Sequence, residues 1–550
     1  MTFLLYNKYN LLMRNLFFLL LFLPSLSLAQ TSTLSKVWVP DLGNGTYKNP
    51  VLYADYSDPD AIRVGEDYYL VSSSFNSVPG LQILHSKDLV NWTLVSAVFG
   101  EQQPAERFQK PQHGGGVWAP AIRYHKGLYY IYYPDPDLGI FVTRAQHPAG
   151  PWEPPILVKE AKGWIDPCPL WDDNGRAYLV HAFAGSRAGF KSVLAVSEMS
   201  ADGLQLLGDE VLVFDGHTKH PTLEGPKFYK RNGYYYIFAP GGGVTPGWQV
   251  VMRSKNVFGP YEDRIVLAQG NTTINGPHQG AWVDTNTGQD WFLHFQDQGA
   301  YGRVVHLQPM RWQNDWPIIG DDPDGDGTGQ PVLTHKKPAI KGKAQPLATP
   351  ATSDEFDAPE LGLQWQWHAN PQDGWAFPMP AQSQLRLYTV PVPADFKNFW
   401  QVPNLLLQKL PAETFTTTTK VTFTPRLEGE KVGLVMMGLD YAYLSLTNEN
   451  GQLRVGQAVC RNADKLTPET TAAPVATLPT GQPMYLRVAV RSGAKCQFSY
   501  STDGTTFQPV GTEFQAREGR WIGAKMGLFA LRPGSTNDAG SLDVDWFRIE

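Results

Sequence analysis

Five times within its first 320 residues the chain repeats one phrase, a glycine followed at once by a short run of aromatic and β-branched residues. The copies are Gly65-Glu-Asp-Tyr-Tyr-Leu-Val, Gly127-Leu-Tyr-Tyr-Ile-Tyr-Tyr, Gly175-Arg-Ala-Tyr-Leu-Val-His, Gly233-Tyr-Tyr-Tyr-Ile-Phe and Gly288-Gln-Asp-Trp-Phe-Leu-His, with the glycines 62, 48, 58 and 55 residues apart. A turn glycine ahead of such a run marks a hairpin, and a recurrence at this spacing matches a four-stranded propeller blade with its loops. Downstream text recurs as well, as Ser86-Lys-Asp-Leu-Val-Asn-Trp92 in the first unit and Ser254-Lys-Asn-Val-Phe-Gly-Pro-Tyr261 in the fourth. The spacing predicts an all-β fold with a five-bladed propeller over residues 30–335. A β-sandwich with coincidental hairpins is the alternative, but sandwiches lack so regular a period.

Composition narrows the function. The 550 residues exceed one ordinary domain, and 12% aromatic with 18% charged residues suits short strands and many turns. With 46 basic against 52 acidic residues the net charge is −6, which excludes the basic footprint of a nucleic-acid binder and leaves neutral ligands such as sugars. Residues Asn15 to Gln30 form an apolar run behind Lys8 and Arg14 that ends in Ser27-Leu28-Ala29. This predicts a signal peptide over residues 1–29 and export to the periplasm or the extracellular space, without a membrane anchor. Three cysteines do not build a disulfide scaffold; Cys460 and Cys496 can pair or remain buried thiols.

In a propeller the first strand of each blade lines the axis, so equivalent positions converge at one end. Counted back from each turn glycine, Asp58 stands 7 residues before, Trp118, Asp166 and Glu224 each 9, and His278 10. Each has a proline close by: Ser57-Asp-Pro-Asp60, Val117-Trp-Ala-Pro120, Trp164-Ile-Asp-Pro167, Leu223-Glu-Gly-Pro226 and Gly276-Pro-His-Gln-Gly280. Three carboxylates at one site are costly unless their pKa values separate or a cation intervenes. Glycoside hydrolysis uses such a set: a protonated acid for the leaving oxygen, an ionised carboxylate for water or for the sugar, and a third that holds the acid's pKa high. Trp118 offers a stacking face, and His278 could ligate or order water around a central cation. Each residue also has a structural alternative. Asp58 and Asp166 suit turns, Trp118 and His278 suit a core, and Arg303 suits an ion pair with an axial carboxylate.

Taken in order, these residues resemble glycoside hydrolase family 43. The likeness spans about residues 46–320 through Asn49-Pro-Val-Leu, Asp58-Pro-Asp-Ala-Ile-Arg-Val-Gly65, Tyr68-Tyr-Leu-Val-Ser-Ser-Ser-Phe75, Trp118-Ala-Pro120, Asp166-Pro167, Glu224-Gly-Pro226, Gly276-Pro-His-Gln-Gly280 and Tyr301-Gly-Arg303. The resemblance implies a five-bladed inverting enzyme: an α-L-arabinofuranosidase, β-xylosidase or arabinanase acting on arabinose- or xylose-containing oligo- and polysaccharides. By motif it implies Asp58 as general base, Glu224 as general acid and Asp166 as the residue that orients the acid and tunes its pKa. It further implies Trp118, Arg303 and His278 at the substrate, with His278 beside a water-coordinated Ca²⁺ on the axis. Asp60 stands where many relatives have Ser, which blurs the assignment of the base; register favours Asp58. A catalytically silent carbohydrate-binding propeller is the alternative function.

Beyond the repeats, Asp322-Pro-Asp-Gly-Asp-Gly327 opens like an EF-hand loop, but position 12 is Leu333 and Pro331 spoils the exit helix, so it reads as a solvated acidic turn. Residues 336–353 hold four Lys and three Pro without periodicity and read as a linker. Alternation then returns. Leu486, Val488 and Val490 oppose Arg487 and Arg491, and Cys496, Phe498 and Tyr500 point inward before an Asp503-Gly504 turn, which predicts a β-sandwich over residues 354–550. Ser353-Asp-Glu-Phe-Asp357, Leu363-Gln-Trp-Gln-Trp367 and Asp543-Val-Asp-Trp-Phe-Arg-Ile549 resemble the concanavalin A-like domain that follows some family 43 propellers.

Overall fold

Each of the five turn glycines joins the first two strands of a four-stranded antiparallel sheet in the computed structural model, which describes residues 34–550. The leader expected at residues 1–29 lies outside the described residues. The glycines take φ values of 65°, 86°, 82°, 72° and 85°, a region that costs an L side chain about 1–2 kcal/mol. Nothing crowds Gly65, Gly127, Gly175 or Gly288. Backbone conformation, not space, therefore fixes the repeated residue.

The first blade runs Asp60–Val64, Asp67–Val71, Gly80–Ser86 and Trp92–Phe99, and the others begin at Ala121–His125, Trp164–Trp171, Lys227–Arg231 and His278–Asp284. In every blade spatial order follows chain order. The aromatic run lies on the second strand, where Tyr68, Tyr132, Tyr178, Tyr236 and Phe292 are buried between neighbouring sheets. Buried aromatics of 150–250 Å² each are the main apolar payload of such an interface. The ring closes on blade five through an upstream segment. Thr46–Lys48 pairs with Thr334–Lys336, Leu52 exchanges hydrogen bonds of 3.2 and 3.0 Å with Val305, and the Asn49 amide bonds Leu307 and Val332 at 2.8 Å.

The C-terminal part is a sandwich of a nine-stranded and a seven-stranded sheet around an apolar core. Strand Pro483–Arg491 buries Met484, Leu486, Val488 and Val490 and leaves Arg487 and Arg491 on the other face. Cys496 and Phe498 are buried, whereas Tyr500 is half-buried, at the end of a strand whose partner register shifts between Cys496 and Phe498. All three cysteines are free and buried; Cys460 and Cys496 lie in different sheets. Residues 337–353 form no strand or helix but are fastened to the propeller: Ala339 and Ala348 donate backbone N–H groups to Gln289 Oε1 and Asn91 Oδ1. The acidic turn brings Asp322, Asp324 and Asp326 together, with Gly325 N–H bonded to Asp322 Oδ1.

The two parts share one core. Tyr53, Tyr301 and Val304 of the propeller belong to the sandwich's apolar cluster, and Tyr301 Oη donates to Glu413 O at 2.9 Å and accepts from Ala494 N–H at 2.7 Å.

Two glycine variants separate conformation from space. Gly127→Ala keeps open surroundings and is expected to cost about 1–2 kcal/mol. Gly280→Ala places a Cβ 1.7 Å from Leu293 O inside the axial ladder and is expected to abolish cooperative unfolding. Denaturant titration of both beside the parent checks the contrast.

Candidate active site

Proline sets the site. A residue without an N–H cannot continue a ladder, so the chain at each inner-strand entrance is free to turn its neighbour toward the axis. Asp58 and Asp166 each directly precede a proline and take φ values of 55° and 56°, and the Asp166 strand bulges between Ile165 and Cys168. Gln279, at φ 29°, marks a second bulge, between His278 and Gly280. Bulges and sparsely populated backbone conformations re-aim side chains and concentrate at functional sites.

Asp58 is 6% exposed and fully engaged. Its Oδ2 accepts Ser57 Oγ–H at 2.9 Å and Ser73 Oγ–H at 2.5 Å, and its Oδ1 is 2.9 Å from Arg303 Nη1. Arg303 Nη1 also donates to Ser57 Oγ at 2.8 Å, and the guanidinium lies over the Phe295 ring. Arg303 thus forms the ion pair that was its structural alternative, and it also lines the adjoining cavity. Asp60 is wholly buried and spoken for: its Oδ2 accepts Ile122 N–H at 2.8 Å and Arg123 Nη1 at 2.6 Å.

Asp166 Oδ2 accepts the Gly225 N–H at 2.7 Å, so it grips the residue that follows Glu224. Burial pushes the Asp166 carboxyl well above the usual range, Asp58 adds to the rise, and the Gly225 N–H opposes it. Glu224 is also raised, first by desolvation and then by the charge of Asp166, with Arg303 opposing. Protein atoms surround its carboxyl, although the side chain keeps 27% exposure. Both shifts favour the protonated carboxyl over the carboxylate.

His278 is buried, with Nε2 3.5 Å from Glu224 Oε1, and neither ring nitrogen has a hydrogen-bond partner. Desolvation and Arg303 hold its pKa down at about 3, so the ring is neutral. Orphaned buried nitrogens call for water. They do not make a Ca²⁺ cage, which takes 6–8 oxygens. Among the described residues the one cluster of three candidate ligands is Asp322, Asp324 and Asp326.

Trp118 touches none of the three carboxylates. It is half-buried on the rim, its Nε1–H bonds Gly114 O at 3.0 Å, Arg187 stacks on it, and Trp521 of the sandwich meets it edge-on at 6.5 Å. The sandwich residues Glu518–Ile522 line a cavity of about 220 Å³ together with Val244, Asp297, Gly302 and Arg303. Sequence reading missed Trp521, Arg520, Ser57 and Ser73. The serines stand inside quoted motifs, but only the fold shows that they face Asp58. Trp521 gives no local signal, because its partner lies some 400 residues away.

Comparison with known proteins identifies the family and the fold. The family described as glycosyl hydrolases family 43 matches residues 47–317, and the β-xylosidase C-terminal concanavalin A-like domain matches residues 353–550. A putative β-xylosidase of Xylanibacter ruminicola is 40% identical over 498 residues, 88% of this chain and 86% of its own. A non-reducing-end α-L-arabinofuranosidase of Bacteroides ovatus is 29% identical over 563 residues, 98% and 99% of the two chains. The crystal structure of a family 43 protein from Bacillus licheniformis superposes with a TM-score of 0.78 at 26% identity, covering 92% of this chain and 99% of that one. With its propeller, its axial carboxylates and its appended sandwich, the chain belongs to glycosyl hydrolases family 43.

Proposed function

We propose that the protein is an inverting exo-glycoside hydrolase that removes terminal α-L-arabinofuranosyl or β-D-xylosyl residues from plant hemicellulose. One observation carries the reading: three carboxyl groups share an axial site in unlike states, Asp58 ion-paired with Arg303 while Asp166 and Glu224 are pushed up by burial, Asp166 further by the charge of Asp58 and Glu224 further by that of Asp166. Inversion needs this division of labour. Water attacks the anomeric carbon as the bond to the leaving oxygen breaks; Asp58 takes the water proton, and Glu224 donates its own proton to the leaving oxygen. Asp58 ends protonated and Glu224 ionised, and exchange with solvent resets both.

Asp166 serves Glu224 twice, by gripping Gly225 and by adding negative charge that favours the protonated acid. Ser57, Ser73 and Arg303 keep Asp58 in one orientation. Trp118 and Trp521 offer apolar faces for sugar rings at the rim. An axial Ca²⁺, as the family resemblance implies, would be carried by water with His278 against its hydration shell, and it would supply fixed positive charge near the carboxylates. A silent sugar-binding propeller would have no use for the Glu224–Asp166 pairing. The relatives' names include both xylosidase and arabinofuranosidase, so both sugars stay in the proposal. The apolar leader at residues 15–30 supports a site of action outside the cytoplasm.

Chromogenic aryl β-D-xyloside and aryl α-L-arabinofuranoside, assayed side by side, test the substrate class. Glu224→Gln is expected to cut turnover about 10²- to 10⁴-fold on poor leaving groups while the melting curve stays put. Proton NMR of the first product should show the inverted anomer; the retained anomer would overturn the single-displacement reading.

The pH dependence follows from the sign of the Glu224 shift. Catalysis needs Glu224 protonated, so kcat/KM falls as pH rises through its elevated pKa. Asp166→Asn removes the like charge, lowers that pKa and is expected to move the alkaline limb to lower pH. A limb that does not move would assign Glu224's protonation to burial alone.

A further inference from the structure

Asp55 stands three residues ahead of Asp58 and has no part in the chemistry above, yet its buried carboxylate is divided between the two halves of the protein. Its Oδ1 accepts the backbone N–H of Arg303 at 2.9 Å, and its Oδ2 accepts the backbone N–H of Gly523 at 2.9 Å. The first partner is the residue whose guanidinium pairs with Asp58. The second ends the sandwich loop that lines the cavity.

The fit leaves no slack. A Cβ on Gly302 would lie 2.5 Å from Asp55 Cγ, and a Cβ on Gly523 would lie 2.7 Å from Gly302 N. The neighbouring Ala524 N–H donates to Ala300 O at 2.7 Å. Two glycines are thus packed backbone to backbone, with one carboxylate across the seam.

A buried charge is a poor way merely to join two domains, because apolar packing of the same volume usually stabilises at least as well. Its neighbourhood supplies compensation without direct contact. Lys525 of the sandwich is buried and Lys409 half-buried, but Lys525 Nζ donates to Ser77 Oγ at 2.7 Å and Gln366 Oε1 at 3.0 Å, and Lys409 donates to Gln82 Oε1. The carboxylate itself is spent on two backbone N–H groups, one in the propeller and one in the sandwich. A rigid acceptor with two oxygens suits that task, since it fixes the distance between its donors.

We propose that Asp55 is a positioning residue that registers the sandwich loop bearing Arg520 and Trp521 against Arg303, and so sets the shape of the mouth of the site. The inference rests on the hydrolase reading above.

Asp55→Asn keeps the shape but turns an amide NH₂ toward one of the two N–H donors. Steady-state kinetics are measured on whichever aryl pentoside the parent cleaves, for Asp55→Asn, Trp521→Ala and the double variant, with thermal melting of each. Asp55→Asn is expected to lower kcat/KM about 10-fold or more, chiefly by raising KM, in protein still folded at the assay temperature. The double variant is expected to lose less than the product of the two single losses, because both act through one loop. Gly523→Ala, which leaves Asp55 in place and pushes the loop off its seat, is expected to show the same rise in KM; it serves as the second route should Asp55→Asn not fold.

Unchanged kinetics in both variants overturn the inference, as does a fall in kcat at constant KM, which loss of folded protein would produce. Losses that simply multiply in the double variant also overturn it. A parent inactive on both aryl pentosides would instead remove the hydrolase reading, and this inference with it.

Discussion

Like charges converge on the propeller axis, and the structure is organised around dividing their repulsion. Two unit charges 4 Å apart interact by about 4 kcal/mol at an effective dielectric of 20, so three ionised carboxylates could not be held together without compensation. Arg303 compensates one of them, Asp58, through a contact of 2.9 Å. Asp166 and Glu224 are left in a desolvated site beside a neutral imidazole, and a proton is the cation that relieves them. The proton that makes the arrangement tolerable is the one that an acid catalyst must deliver.

That division depends on strand geometry. Two residues beyond Asp58 and Asp166, past the irregular backbone at each, the inner strands place a second layer of polar side chains. Asp58 is followed by Asp60, and Asp166 by Cys168. Asp60 bonds Arg123, Arg123 Nη2 lies 2.8 Å from Cys168 Sγ, and the fully buried Lys227 donates to Pro120 O. The adjoining layer therefore carries two cations against one carboxylate, and Lys227 opposes the rise of Asp166. A carboxylate layer next to a cationic one is more stable than either would be alone. The aspartate at position 60, which blurred the sequence reading, is the anionic member of the second layer.

What could be read from the sequence was whatever the repeat made local. Blade number followed from five glycines that all need positive φ, and counting back from them reached the three carboxylates, Asp58, Asp166 and Glu224, but also Trp118, which stands on the rim. The sandwich core followed from alternation, which held through Tyr500: half-buried near the end of its strand, it still packs against the core. The irregular text at 336–353 was legible as a connection but not as one tied to Asn91 and Gln289, because single hydrogen bonds between distant residues leave no periodic trace. The same reason hid Trp521 and Arg520. An ion pair of Arg303 with an axial carboxylate was legible as an alternative, but not that the carboxylate is Asp58, since that pairing depends on a guanidinium spanning the ring from blade five to blade one.

The sandwich is accordingly a component of the site's surroundings rather than a passenger. Tyr53 and Tyr301 stand in its apolar cluster, so separating the domains would expose them and leave Ala494 N–H and Glu413 O without their phenol partner. The segment Gly299–Arg303 would feel that loss first, because it carries Tyr301 at its middle and Arg303 at its end. Arg303 in turn fixes Asp58. A contact in the sandwich core is thus connected to the axial carboxylates through three consecutive residues, Tyr301 to Arg303, a path short enough for packing alone to transmit a change of position.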